Sequence, residues 1–501
     1  MSLSLLLEMA ASAEPNRTAV VSDGLRLTAG ELSALADGGA GGVSATGAQT
    51  VVYVGTGGAM LPLLMFSAAR AAVPFCPLNY RLSGSGLHEL IGRLPEPIIV
   101  ADREYVGVLA GAGRQIVESA EFLAAAGSAA AVDEFADPDG VGVVLFTSGT
   151  SAQPKAVELT HNNLTSYVMG TVDFGAAEPD DAALVCVPPY HIAGVGAALS
   201  NLYAGRKTVY LRHFDPSEWI RLVAEEAITN ATVVPTMLDR IISALEREPM
   251  ALPTLKNLAY GGSKVPLPLV RKTIDMLPGV GLVNAYGLTE TSSTISVLTP
   301  EDHLTAFEAS DPDIARRLGS VGRAVPGVEI EIRGAGGEIL GPDEVGELFV
   351  RGEQVSGRYT GIGSVLDADG WFATRDTASV DTHGYLYIGG RSDDTIIRGG
   401  ENIAPAEIED VLVEHGAVHD VAVVGLEDAE WGQLIVAVVV PEEPEEGASP
   451  DGEELREYVR ARLRGSRTPD RVVFVSGLPT TPTGKILRRV IVEQLQLSPA
   501  E

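Results

Sequence analysis

Strand-length apolar runs alternate with stretches of helical period through the first 290 residues, and this alternation constrains the fold more than any other feature of the chain. The runs include Thr50–Val54, Pro97–Ala101, Val141–Phe146, Ala183–Val187, Thr208–Leu211, Ala231–Val234 and Val280–Val283. Helix-period stretches lie between them, such as Pro216–Ala227 and Met237–Glu246. Parallel neighbours in a sheet need a crossover, and a helix supplies it, so the pattern predicts α/β architecture with parallel sheets. From about Gly319 to Gly390 the texture changes to short strands with glycine-rich turns, at Val328–Ile332, Gly346–Val350 and Tyr385–Ile388. That predicts a β subdomain over about 319–391. After Asp394 a compact α+β pattern follows: a helix at Pro405–Glu414, strands at Val418–Val424 and Leu434–Val440, and a helix at Gly452–Leu463. A chain of 501 residues exceeds what one core supports. The expected division is a large N-terminal domain over 1–392 and a small C-terminal domain over 393–501. An acidic surface loop is expected at 441–447, and no internal repeat is found.

The formal charge of −31 argues against a nucleic-acid partner, which needs a basic face. It also means that an anionic substrate must be held by local cations against the global field. Cys76 and Cys186 are the only cysteines, so no disulfide framework is implied and a reducing, cytoplasmic setting is expected. The first residues, Met1 to Glu8, lack a basic stretch and do not read as a signal peptide. No run of 18 apolar residues exists to span a membrane.

The segment Thr147-Ser148-Gly149-Thr150-Ser151-Ala152-Gln153-Pro154-Lys155 follows a buried-strand pattern. Hydroxyls, backbone N–H groups and a lysine point charge are how a phosphate-gripping loop is built. Read alone it is also a Ser/Thr turn, and it lacks the Walker spacing. Four further segments follow in order: Asn284-Ala285-Tyr286-Gly287-Leu288-Thr289-Glu290-Thr291, Gly370 to Asp376, Gly390 to Asp394, and Pro482-Thr483-Gly484-Lys485. The ordered set resembles the adenylate-forming superfamily of acyl-CoA synthetases, peptide-synthetase adenylation domains and luciferases, over about Ala19 to Arg489.

The resemblance implies ATP, Mg²⁺ and coenzyme A. Thr147, Ser148, Gly149, Thr150, Ser151 and Lys155 would hold the β- and γ-phosphates, and Gly262 and Ser263 would join the nucleotide site. Tyr286 would stack on adenine with Asn284 on its amino group, while Ala285 and Gly287 would line the site. Thr289 would hold the α-phosphate, and Glu290 with Thr150 would ligate Mg²⁺. Asp376 would accept the ribose hydroxyls beside Arg391. Lys485 would bridge the substrate carboxylate and the α-phosphate as charge shifts in the transition state. Asp393 aligns with the hinge about which this superfamily's C-terminal domain rotates, making that domain mobile. The sequence departs from the superfamily at Ala152, Ala156 and Arg375, where glycine is usual.

For CoA, the resemblance points to Arg398, Gly399, Gly400, Trp431 and Arg467. Nine Lys/Arg against two Asp/Glu between Arg456 and Arg489 suit its phosphates. Ser466-Arg467-Thr468-Pro469 lacks the usual aromatic, which removes a stacking contact to the CoA adenine. On the acyl side Tyr190, His191 and Gly194 match the gate before the acid pocket. Small residues follow, Ala193 to Ala198, and no Asp stands here to pair an α-ammonium. The reading is an AMP-forming acid–CoA ligase acting on an apolar acid, with medium-to-long fatty acids preferred to aryl acids. Two rivals are an acyl-adenylate ligase that loads a carrier protein and a degenerate, non-catalytic acyl or ATP sensor. A homodimer is compatible with this reading, and Gly55-Thr56-Gly57-Gly58 fails the dinucleotide spacing.

Overall fold

The computed structural model describes residues 1–128, 136–147, 154–428, 431–442, 451–463, 465–481 and 484–497. Among these residues, the apolar runs of the N-terminal region become two large sheets. One sheet of nine strands orders Arg323–Ala324, Ser293–Leu298, Gly281–Leu288, Asn257–Gly261, Asn230–Val233, Ala182–Val185, Lys207–Tyr210, Thr18–Ser22 and Leu25–Thr28. Its six central strands, from Gly281–Leu288 to Thr18–Ser22, run parallel, and both ends are closed by antiparallel pairs. The second sheet has eight strands, with Thr50–Val54 flanked in parallel by Phe75–Pro77 and Pro97–Ala101. Thr50–Val54 and Pro97–Ala101 are buried along their whole length, as parallel strands covered on both faces must be.

The cover is a layer of helices shared by the two sheets. Helices Leu3–Ala13, Ala29–Thr46, Met60–Arg70 and Ile192–Ala204 pack in one apolar core with Val20 and Val185 of the first sheet and Val51, Phe75 and Val143 of the second. Pro216–Glu225 and Pro235–Arg247 cover the outer face of the first sheet through Trp219, Leu238 and Ile241. Local chemistry sets the helix starts. Thr28 and Glu31 form a reciprocal cap, as do Thr160 and Asn163, and Pro216 and Pro235 occupy first-turn positions where no N–H is missed.

The β texture becomes a four-stranded antiparallel sheet, Glu329–Arg333, Gly346–Arg351, Phe372–Val380 and Leu386–Arg391. Ser392–Asp394 then form a 3₁₀ turn. Beyond it lie the hairpin Ile396–Arg398/Glu401–Ile403 and a three-stranded sheet with helices Pro405–Val413 and Gly452–Arg462, on apolar cores of their own. The fold is therefore α/β in a large N-terminal part with a β sheet appended, and α+β in the C-terminal part. Part of the expected acidic loop, 443–447, lies outside the described residues. Cys76 and Cys186 are buried free thiols. Among the described residues no helix is long and apolar enough to cross a membrane.

Candidate active site

The carboxyl ends of the parallel strands Asn257–Gly261 and Gly281–Leu288 lie side by side, with Gly261 in register with Ala285. Open parallel sheets bind ligands at this edge. Asn284 to Leu288 complete the second of these strands, and Thr289–Thr291 form a 3₁₀ turn. Gly262 and Ser263 follow directly after the first strand. The Asn284 amide donates to Ser320 O at 3.2 Å. The Tyr286 hydroxyl donates to Asp376, 90 residues away in sequence.

Asp376 is 5% exposed and pairs across the β sheet with Arg391, whose guanidinium stands 3.2 Å from its carboxylate. Burial raises the Asp376 pKa, while Arg391, Tyr286 and Lys485 oppose the rise. Lys485 arrives from the C-terminal part on a turn closed by Gly484 N–Thr481 O at 2.9 Å and Lys485 N–Thr481 Oγ1 at 3.0 Å. Although it keeps an exposed surface, crowding by protein depresses its ammonium, Arg391 adds to this, and Asp394, Asp376 and Glu290 pull the other way. The expected lysine, ribose carboxylate and metal carboxylate thus share one electrostatic site. Pro482 and Thr483 lie outside the described residues.

The phosphate loop is described only at its edges. Ser148, Gly149, Thr150 and Ser151, with Ala152, lie outside the described residues, whereas Thr147 and Lys155 face each other in the antiparallel pair that carries the loop. Tyr359 completes this corner and was carried by no motif. Its strand pairs with Val157, its hydroxyl donates to Glu290 Oε1 at 2.9 Å, and the Lys155 ammonium lies 5.4 Å from its ring centroid. Burial and Glu290 raise the phenol pKa, against the pull of Arg375 and Arg391.

Arg375 occupies left-handed backbone, φ +62°, which gives a reason for glycine being usual there. Its carbonyl accepts from Ser392 Oγ at 3.0 Å, and its guanidinium stands 3.8 Å from Asp393.

At the acyl gate, His191 caps the helix Ile192–Ala204, accepting from Ala193 N at 3.2 Å. Burial lowers its pKa to about 4, so the ring is neutral. Tyr190 meets Tyr80 edge-on at 5.6 Å, and its buried hydroxyl has no partner among the described residues. Not all the space expected beside the small residues is free. A Cβ on Gly194 would lie 2.6 Å from Pro188 O, and one on Gly196 3.2 Å from the Tyr167 ring, so those two glycines admit backbone and a core aromatic. Only Ala193 and Ala197 of the stretch keep partial exposure, one turn apart on one face.

The expected CoA residues gather around one hairpin. Trp431 O accepts from Gly399 N at 2.8 Å, Arg398 lies over the Trp431 ring at 4.4 Å, and Gly400 follows in left-handed backbone. The basic patch, however, is partly paired, Arg456 with Glu453 and Arg489 with Glu493 among others. Arg398 makes two bonds to Asp470 at 3.0 and 2.6 Å, Arg467 meets Glu401 and Glu407, and Arg488 meets Glu409 at 2.6 Å. Part of the cationic surplus read from composition is therefore spent within the protein.

The family described as AMP-binding enzyme matches residues 7–360, and the AMP-binding enzyme C-terminal domain matches residues 407–485. The chain is 34% identical over 488 residues to a feruloyl-CoA synthase of an Amycolatopsis species, covering 95% of each chain. It is 30% identical to the indoleacetate–CoA ligase of Aromatoleum aromaticum, covering 99% of this chain and 98% of that one. The fold matches o-succinylbenzoate CoA synthetase of Bacillus subtilis in complex with its acyl-adenylate intermediate, with a TM-score of 0.85 at 26% identity over 99% and 98% of the two chains. The same enzyme in complex with ATP and magnesium ion gives a TM-score of 0.83 at 26% identity over 97% and 98%. On these findings the chain belongs to the AMP-binding enzyme family and is an acid–thiol ligase.

Proposed function

We propose that the chain joins an aryl carboxylic acid to CoA in two half-reactions, with acyl-AMP between them. One observation carries the aromatic class: the feruloyl and indoleacetate ligases align over nearly the whole chain, and both are named for acids that bear a ring. This moves the preference from the alkyl chain to the ring. The half-buried Tyr80, in ring contact with both Tyr105 and the gate residue Tyr190, suits such a substrate.

In the first half-reaction the substrate carboxylate attacks the α-phosphorus of ATP and pyrophosphate leaves. Lys155 and the hydroxyls of 147–151 hold the phosphates, Asp376 and Arg391 the ribose, Tyr286 with Gly262 and Ser263 the adenine side, and Thr289 the α-phosphate. Glu290 is the proposed magnesium ligand, with Thr150. The carboxylate suits the ion: among the described residues it accepts one side-chain hydrogen bond, from Tyr359, at Oε1. Among the described residues no cluster of three or more ligating side chains exists. That fits Mg²⁺, which takes one or two carboxylates and completes its shell with phosphate and water oxygens. The ion would neutralise phosphate charge as it shifts.

In the second half-reaction the C-terminal part, residues 393–501, turns about Asp393. The hairpin carrying Arg398, Gly399 and Gly400 then replaces Lys485, with Trp431 and Arg467 on the CoA side. A pyrophosphate-release screen over hydroxycinnamic, indole-acetic, benzoic and C8–C16 fatty acids tests the substrate. Aryl acids should give the highest kcat/KM, and a fatty acid leading by tenfold would overturn the class. Pairing each acid with CoA or with a holo-carrier protein identifies the acceptor.

A further inference from the structure

The gate helix Ile192–Ala204 is buried along its whole length except at Ala193, Ala197 and Ser200, which recur at helical spacing and form one accessible stripe. Gly196 lies beside this stripe, and two hydroxyls from other elements converge on its bare backbone. A Cβ on Gly196 would lie 3.5 Å from the Tyr167 hydroxyl and 3.5 Å from Ser293 Oγ. Tyr167 is 9% exposed, and neither hydroxyl has a hydrogen-bond partner among the described residues. Ser200 Oγ, on the stripe itself, is buried and also unpartnered. Buried hydroxyls are nearly always bonded, so three unbonded ones along one stripe mark a place for the polar atoms of a ligand. Ser292 and Ser293 hold φ at +55° and +105°, where any residue but glycine is strained, and strain of this kind is kept at functional sites. The two serines follow directly on Thr289–Thr291, the turn that carries the proposed α-phosphate and magnesium groups.

We propose that Tyr167 and Ser293 bind a hydroxyl on the ring of the acid, so that the enzyme prefers hydroxyaryl acids to their unsubstituted counterparts. The inference rests on the aryl reading above and deepens it. An acid whose carboxylate meets ATP beside Thr289 lays its body along the gate helix. The stripe from Ala193 to Ser200 spans about 10 Å at 1.5 Å per residue and presents only small side chains to a flat ring. A ring hydroxyl can accept from one of the two protein hydroxyls and donate to the other, which a C–H edge cannot do. An unsubstituted ring would leave both protein hydroxyls enclosed and unpaired. That penalty, more than the bond gained, sets the discrimination.

The test compares kcat/KM for pyrophosphate release within three pairs of acids: 4-hydroxycinnamic against cinnamic, 4-hydroxybenzoic against benzoic, and 5-hydroxyindole-3-acetic against indole-3-acetic. In the unaltered enzyme the hydroxylated member of at least one pair should lead by about tenfold, the weight of one hydrogen bond at a buried hydroxyl. Tyr167→Phe removes the hydroxyl and keeps the ring, and it should reduce the leading ratio to below about threefold. Ser293→Ala keeps the Cβ and should lower the ratio in the same direction. Melting temperature verifies folding, and Tyr167→Phe decides the matter alone if Ser293→Ala does not fold. Ratios below about threefold in all three pairs of the unaltered enzyme would overturn the inference, as would a leading ratio that Tyr167→Phe leaves in place. A fatty acid that outruns all six aryl acids by tenfold would defeat the aryl reading and this inference with it, whereas equal ratios among active aryl acids defeat the inference alone.

Discussion

Replacing Lys485 by alanine is the sharpest probe of the site. The ammonium shares one field with Asp376, Glu290 and Asp394 and is pressed by Arg391, the groups of the proposed nucleotide site. Two unit charges about 4 Å apart interact by about 4 kcal/mol at an effective dielectric near 20. Because the lysine is exposed to solvent, the net contribution belongs at the lower end of the range for one preorganised donor, about 2.7 kcal/mol, or about 100-fold in rate. Alanine also relieves Asp376 of one cation, which lets its pKa rise further and adds to the loss. Adenylation is followed as acid-dependent pyrophosphate release, and transfer as thioester formed from synthetic acyl-AMP and CoA. Adenylation should fall about 100-fold while transfer changes less than about threefold, because the cation acts only in the first transition state. Equal losses in both steps, in a variant that melts normally, would refute domain alternation. A loss below tenfold would refute the assignment of Lys485.

Three further outcomes follow from named contacts. Asp393→Pro, in the 3₁₀ turn where a fixed φ is tolerated, should spare adenylation and stop CoA transfer; equal loss of both would place the hinge elsewhere. Gly287→Ala should unfold the end of its hairpin, since a Cβ there would lie 1.8 Å from Ser293 O; a soluble variant with native urea midpoint would contradict the packing. Burial lowers the His161 pKa to about 4 from 6.5, so the unfolded chain binds the extra proton between those values and stability falls as pH drops through that window. The contribution is at most about 1.4 kcal/mol per pH unit. His161→Gln should therefore lose less stability than the parent between pH 7 and 5 in urea titrations, and equal losses would exclude His161 as the titrating group.

The alternation of apolar runs and helical stretches determined the α/β class, because burial on two faces and helical period are local properties of the chain. Strands such as Thr50–Val54 and Pro97–Ala101 match their expected bounds, and the ordered motifs place Glu290, Asp376, Arg391 and Lys485 in one field. Local pattern failed where a neighbour was distant. Arg467 and Arg488, counted as part of a basic patch, are paired by Glu401 and Glu409, 66 and 79 residues away in sequence. Tyr359, 69 residues from Glu290 in sequence, has no motif, and only the tertiary path sets it between Glu290 and Lys155. Composition records which charges and spaces exist; the close approach of segments far apart in sequence decides which of them are already filled, because packing and ion pairing act over a few ångströms whatever the separation along the chain.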